Sequence, residues 1–260
     1  MGLREVLRML WFASFINYWY NLKAYKSEFV SLAARCVISI VVYYFWGYSI
    51  VYQKGIQSYG TESPLGFILS GILLAEFMGF RWAFSLHMQT FYHVFSRPVS
   101  PHLQVFREWF VFNTTHIIPF RIIPCALLII ATQRLNIRLE ALLVFLALST
   151  LLCFGQHFME LGATFVFKKE RPVLFAFEVL EEFSGRAFPI TILPETAQQI
   201  LSFYPPTWAY LVWRKVLFAG MPVTDPEFLV FSAASLVMFL SGLAVFRVGV
   251  NKIYREGLVL

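Results

Sequence analysis

Four ionisable side chains, Glu178, Glu181, Glu182 and Arg186, stand within nine residues of an otherwise apolar segment. The carboxylates fall at i, i+3 and i+4, so one helical face carries all three, and Arg186 follows Glu182 by four residues, within reach of an ion pair. Paired carboxylates serve acid–base hydrolysis when other groups complete the site, and nothing nearby completes one here. Two readings remain: a polar face lining a path or external vestibule, and an ion-pair cluster that braces the segment. A second ionisable group, Arg121, lies in another apolar run, shortly after His116 and between Pro119 and Pro124. Charges inside apolar runs mark functional paths by default, but two prolines also open the helix and let an arginine meet water or a freed carbonyl. Gln156, His157 and Glu160 stand in the second half of a further apolar run, where solvation near an interface accounts for His157 and Glu160.

A different chemistry, docking rather than catalysis, is suggested by Phe91 to Trp109, FYHVFSRPVSPHLQVFREW. Pro98 and Pro101 bias Arg97 and Ser100 out of the helical region. A new helix is predicted beyond them, with Ser100 as its cap and Pro101 in its first turn. Phe91, Phe95, Arg97, Pro98, Val99, Ser100, Pro101 and Arg107 thus form a bent, basic, aromatic element suited to a membrane surface and a partner protein.

The elements that position these residues are predicted to be membrane helices. Of 260 residues, 58% are hydrophobic and 14% charged, against about 25% charged in soluble domains. Several apolar runs approach the ~20 residues that cross a bilayer, and they are continuous rather than alternating, which argues against an outer-membrane barrel. The fold class is therefore all-α and polytopic, a single transmembrane domain over 1–260. An interfacial helix is predicted over 1–28, rich in Trp and Tyr between Arg4, Arg8, Lys23 and Lys26; no cleavable signal peptide is evident. Six spans follow over 29–52, 65–86, 110–131, 141–165, 172–188 and 228–246. Two pieces split by Pro205 and Pro206 are each too short to cross, and predict a re-entrant hairpin over 189–218. Cys36, Cys125 and Cys153 match no metal spacing and read as small hydrophobes.

The net charge is +6. With six spans and the N-terminus inside, thirteen Lys and Arg residues fall on the inner side, and six (Lys54, Arg134, Arg138, Arg186, Arg214 and Lys215) on the outer. That bias puts both termini and Phe91–Trp109 in the cytoplasm and the hairpin outside.

The order of these parts resembles the membrane (permease) subunits of type-2 ABC transporters, the ABC-2 exporter family. Ser96 to Phe106, SRPVSPHLQVF, looks like that family's cytoplasmic L-x-x-P-[VI]-S element. Phe183 to Gly220, FSGRAFPITILPETAQQILSFYPPTWAYLVWRKVLFAG, is similar to its SG-x-x-x-P-x-x-x-LP signature and the sequence that follows. The bacterial subgroup with paired permeases is the nearest in pattern, although HMQTFYHVF lacks the Gly and acidic residue usual before the coupling proline.

The resemblance implies a subunit of the prokaryotic cytoplasmic membrane, multi-pass, that exports a drug, lipid, peptide or glycan by alternating access. It implies a coupling helix between spans 2 and 3, two copies of a separate ABC ATPase, and a second permease, identical or homologous. The chain has no G-x-x-x-x-G-K-[ST] phosphate loop. No cofactor or metal is expected in this chain, and ATP and magnesium belong to the ATPase. A membrane-embedded lipid-modifying enzyme is the alternative, but no H-x-x-x-x-D or H-E-x-x-H constellation supports it. For a secondary carrier, the two halves show no clear inverted repeat.

Overall fold

The computed structural model describes residues 38, 41, 45, 56–61, 63–78, 100–112, 118, 122–168, 170–186 and 189–256. Among them the chain is predominantly helical and has no strand. We number the helices α1 (Pro64–Met78), α2 (Pro101–Phe112), α3 (Ile123–Thr132), α4 (Leu139–Phe167), α5 (Glu170–Glu181), α6 (Glu195–Ser202), α7 (Pro205–Arg214) and α8 (Pro226–Glu256). The interfacial helix predicted over 1–28 lies outside the described residues. So does the span over 29–52, except for Ile38, Val41 and Phe45, which are helical and exposed.

Local chemistry places many of the helix ends. Asp225 accepts the Glu227 amide at 2.9 Å on its Oδ1, and Pro226 opens α8, the cap-and-proline start that satisfies an orphan donor and presets φ. Pro205 and Pro206 open α7 after Tyr204 turns extended. Trp208 Nε1 donates to Ser202 O at 2.8 Å and ties α7 back to the end of α6. Lys168 ends α4 in the left-handed conformation, with φ of 54°.

Two helices, α4 with 29 residues and α8 with 31, are long and apolar enough to cross a membrane. At 1.5 Å per residue each exceeds a ~30 Å hydrocarbon core by several turns. They share the most extensive helix–helix interface among the described residues. Its basis is a pair of glycine couples, Gly155 against Gly242 and Gly162 against Gly249. A Cβ on Gly242 would stand 2.0 Å from Gly155 O, and one on Gly249 would stand 2.7 Å from Gly162 O. Nothing larger than hydrogen fits, so backbone touches backbone. On each helix the glycines are seven residues apart, the repeat of a left-handed helix pair. Both couples keep the same sequence offset, so α4 and α8 run parallel.

Parallel packing forces the intervening chain to return from the end of α4 to the start of α8. Helix α5 begins that return, and α6 and α7 complete it beside the start of α4, where Asn136 N donates to Leu217 O at 2.9 Å. Helix α1 runs alongside α4, with Cys153 Sγ donating to Met78 O at 3.5 Å. Helix α3 runs antiparallel to α1, with Cys125 Sγ donating to Leu69 O at 3.4 Å. Both thiols are buried. The bundle therefore has a hairpin end, built from the 56–61 turn, α6 and α7, and a far end. At the far end Lys168 pairs with Glu256 at 2.9 Å and Lys252 Nζ donates to Val166 O at 2.9 Å.

Candidate functional site

The helix predicted after the two prolines is α2. Leu103 N donates to Ser100 Oγ at 3.4 Å, and Gln104 N donates to Ser100 O at 3.2 Å. Its first turns dock on the α4–α8 pair. The His102 ring meets Phe246 edge-on at 5.0 Å between centroids and Phe158 at 5.7 Å, while Phe106 stacks on Phe154 at 5.5 Å. Val105 and Gln104 are buried. Burial against these rings, and then the charge of Arg247, hold the His102 pKa below the ordinary histidine value, so the ring packs neutral near pH 7. Phe91, Phe95, Arg97, Pro98 and Val99 lie outside the described residues. Arg107 lies on α2, and its side chain is outside the description.

The acidic cluster divides. Glu178 is exposed, Glu181 is 4% exposed and Glu182 is intermediate. Adjacent helical residues diverge by about 100°, so the edge of the buried face passes between Glu181 and Glu182. Arg186 Nη1 pairs with Glu182 Oε1 at 2.9 Å, while Glu181 Oε1 accepts from Tyr210 Oη at 3.3 Å. After Glu181 the helix becomes a π turn, Glu182–Arg186, broken by Gly185 at φ 105°, a conformation that glycine adopts without the Cβ penalty. Ser184 Oγ donates to Glu181 O at 2.7 Å. Single π turns of this kind frequently mark functional positions.

That turn leads to the group that spacing alone did not single out. Arg214 is fully buried, with 0% of its surface exposed, and is not the outer-surface charge expected from its place in the hairpin. Its Nε and Nη2 donate to Phe67 O at 3.2 and 3.1 Å, and Nη2 also donates to Arg186 O at 3.0 Å. Nη1 donates to Tyr210 O at 3.4 Å. Its guanidinium lies 3.6 Å from the centroid of the Phe67 ring, a cation–π contact strengthened by desolvation. Burial lowers its pKa to about 10, against the opposing effect of Tyr59 and Tyr210, so it stays charged at neutral pH.

Around Arg214 three elements converge. Trp213 Nε1 donates to Ser70 O at 2.8 Å, and Ile190 N donates to Tyr59 Oη at 3.0 Å. Gly71 makes the approach possible, since a Cβ there would stand 1.9 Å from Arg186 O. The hub thus ties the hairpin, the π turn and α1 together. The signal in the sequence was the first of two adjacent cations after AYLVW. Its neighbour Lys215 reaches Glu227 instead.

His157 and Glu160, expected to be solvated, are buried, as is Gln156 beside them. Gln156 Nε2 donates to Glu160 Oε1 at 3.0 Å, and His157 Nδ1 lies 3.9 Å from Glu160 Oε2. They occupy the same turns of α4 as Gly155, where the helix is covered by its neighbours. Arg121 lies outside the described residues. The site as a whole is a polar knot at one end of an apolar bundle and a docked amphipathic helix lower down. No family model, characterised protein or solved structure matches the chain.

Proposed function

We propose that the chain is the permease subunit of an ABC-2 type exporter in a prokaryotic cytoplasmic membrane, with six spans and both termini inside. It would form a dimer with an identical or homologous permease, above two copies of a separate ATPase that bind ATP and magnesium. The observation that carries this reading is the docking of α2 by His102 and Phe106 on the rings of the glycine-paired helices. Force applied to such a helix moves α4 and α8 as one body, because their backbones cannot slide past the glycine couples. The reading also draws support from the parallel course of α4 and α8, which the fourth and sixth spans of a six-span chain must share. The basic residues Lys168, Lys252 and Arg255 stand at or near the far end, as a cytoplasmic face requires.

In this scheme ATP-driven closure of the ATPases pushes the 91–109 element. The α4–α8 body tilts, and the hairpin end yields at the Arg214 hub and the π turn, where a few directional bonds rather than continuous packing hold the parts. Outward-open and inward-open populations shift accordingly. Glu178, which is exposed, and the Glu182–Arg186 pair line the external vestibule; Glu181 and Tyr210 brace the hairpin.

The test is purification of the native complex from gentle detergent. A co-purifying ATPase with a phosphate loop is expected, and its turnover should fall when Pro98 and Pro101 are both replaced by alanine while the complex stays assembled. Substrate turnover by this chain alone, without ATP, would end the proposal.

A further inference from the structure

The hairpin carries its charge at one end only. From Thr196 to Trp213 no residue is charged; Glu195 precedes the stretch, and Arg214 and Lys215 follow it. Contacts with three neighbours fix which way the uncharged turn points. Trp213 bonds to Ser70 O and Arg214 to Phe67 O, so α7 runs antiparallel to α1. Tyr210 bonds to Glu181 and Arg214 to Arg186 O, so α7 runs in the same direction as the end of α5. Lys215 pairs with Glu227 at the start of α8, while Trp213 and Phe231, one turn further in, both stack on Phe145. Each register carries the earlier residues of α7 away from Glu227 and toward the middle of α8. The 10 residues of α7, at ~1.5 Å each, put the Phe203–Tyr204 turn about 15 Å along that direction. Beyond Glu227, α8 has no charge until Arg247, so the turn lies level with the apolar part of a helix long enough to cross a membrane.

Two features fit the turn to that depth. Its backbone donors are satisfied within it: Phe203 N donates to Ile200 O at 3.2 Å, Tyr204 N to Leu201 O and Thr207 N to Tyr204 O, both at 3.0 Å. Pro205 and Pro206 have no N–H to satisfy, and Trp208 Nε1 covers Ser202 O. Hydrocarbon demands such internal pairing, and water does not. The second feature is an apolar edge. Leu201 is buried against the bundle, but Ile200 is 61% exposed and Phe203, the most exposed large apolar side chain among the described residues, is 87% exposed. At about 100° per residue the two stand some 60° apart, on one edge of α6.

We propose that the α6–α7 turn is seated in the bilayer leaflet on the Glu227 side, with Ile200 and Phe203 against lipid acyl chains. The inference rests on membrane insertion of α8, part of the reading above, and is independent of coupling to an ATPase. Lipid at this edge anchors the distal end of the hairpin, while the Arg214 hub holds its base.

The experiment uses the full chain with Cys36→Ala, the buried Cys125 and Cys153 left in place, in liposomes of phosphatidylethanolamine and phosphatidylglycerol. A nitroxide is attached at one of Glu195→Cys, Ile200→Cys, Phe203→Cys or Val237→Cys, all exposed positions, so each variant should melt with the parent. Collisions with oxygen report lipid, and collisions with a nickel chelate report water. Val237, within the apolar part of α8, sets the lipid standard. Oxygen should exceed nickel several-fold at Ile200 and Phe203, and nickel should exceed oxygen at Glu195. Nickel-dominated labels at Ile200 and Phe203, with Val237 dominated by oxygen, would overturn the proposal and assign the edge to a water-filled vestibule. Immobile labels there, shielded from both reagents, would also overturn it and assign the edge to a second copy of the chain. A nickel-dominated label at Val237 would instead overturn membrane insertion itself.

Discussion

Between α4 and α8 the chain brings backbone against backbone over two glycine couples; around Arg214 it brings one cation against three carbonyls and an aromatic face. The seam is apolar, periodic and dependent on shape. It has no alternative register nearby, because sliding by one residue would put a side chain where only a hydrogen fits. The hub consists of a few directional bonds from a single side chain, which another rotamer or a small displacement breaks together. In the exporter proposed above, a bundle moving as rigid parts would use both kinds of contact, with the seam along α4 and α8 as the rigid body and the hairpin end as the joint.

The largest expected effect comes from breaking the seam. Gly242→Leu should destabilise the fold by about 3 kcal/mol or more, because the obstructing atom is backbone and cannot rotate away. Thermal unfolding in detergent reads this as a large drop in midpoint, and the nearby Ser241→Leu, which is only part-buried, should cost far less. Similar midpoints for the two would show that the seam is loose.

Breaking the hub is the next test. Arg214→Lys keeps the charge but cannot reach Phe67 O and Arg186 O together, and it should cost about 2 kcal/mol for buried carbonyls left unpaired. The loss should be local. Hydrogen exchange should rise in α6, α7 and the Glu182–Arg186 turn, and remain slow along α4 and α8. Uniformly faster exchange would erase the distinction between joint and rigid body.

Phe106→Ala removes the stack on Phe154 and should cost about 1 kcal/mol beyond the lost burial. If α2 drives the seam, this variant should uncouple ATP turnover from transport while the α4–α8 protection stays intact. Unchanged coupling would remove α2 from the transmission path.

The smallest effect concerns His102. Its pKa is depressed in the folded chain, so the native state binds the proton less well than the unfolded one. Its contribution is fully present above the unfolded value, about 6.5, and declines as the pH falls through the folded value. Docking of α2, followed by crosslinking to α8, should therefore loosen on acidification, and His102→Phe should flatten that dependence. A loss on raising the pH would contradict the sign.

Much of the helix punctuation was legible. The Ser100-Pro101 and Pro205-Pro206 pairs each start a helix where their backbone preferences say one begins. The Glu182–Arg186 ion pair followed from spacing alone. Less was visible in the four glycines. Gly155 and Gly162 form no G-x-x-x-G, and their partners lie far along the chain, so the seven-residue repeat acquires meaning only when Gly242 and Gly249 stand opposite.

Arg214 went furthest from expectation. In the sequence it is one of two adjacent cations in a hairpin, and charge counting sends both to the surface. In the structure Lys215 goes outward to Glu227, while Arg214 is drawn into the core by carbonyls on α1 and on the π turn.

Composition and local backbone preference, which act within a few residues, were enough to determine a helical chain, an apolar character and many of its helix boundaries. The direction of α4 relative to α8, the burial of Gln156, His157 and Glu160, and the fate of Arg214 were decided by the tertiary structure. Each depends on which surfaces meet across long stretches of chain, and the cost of burying a polar group is known only when its partners are in place.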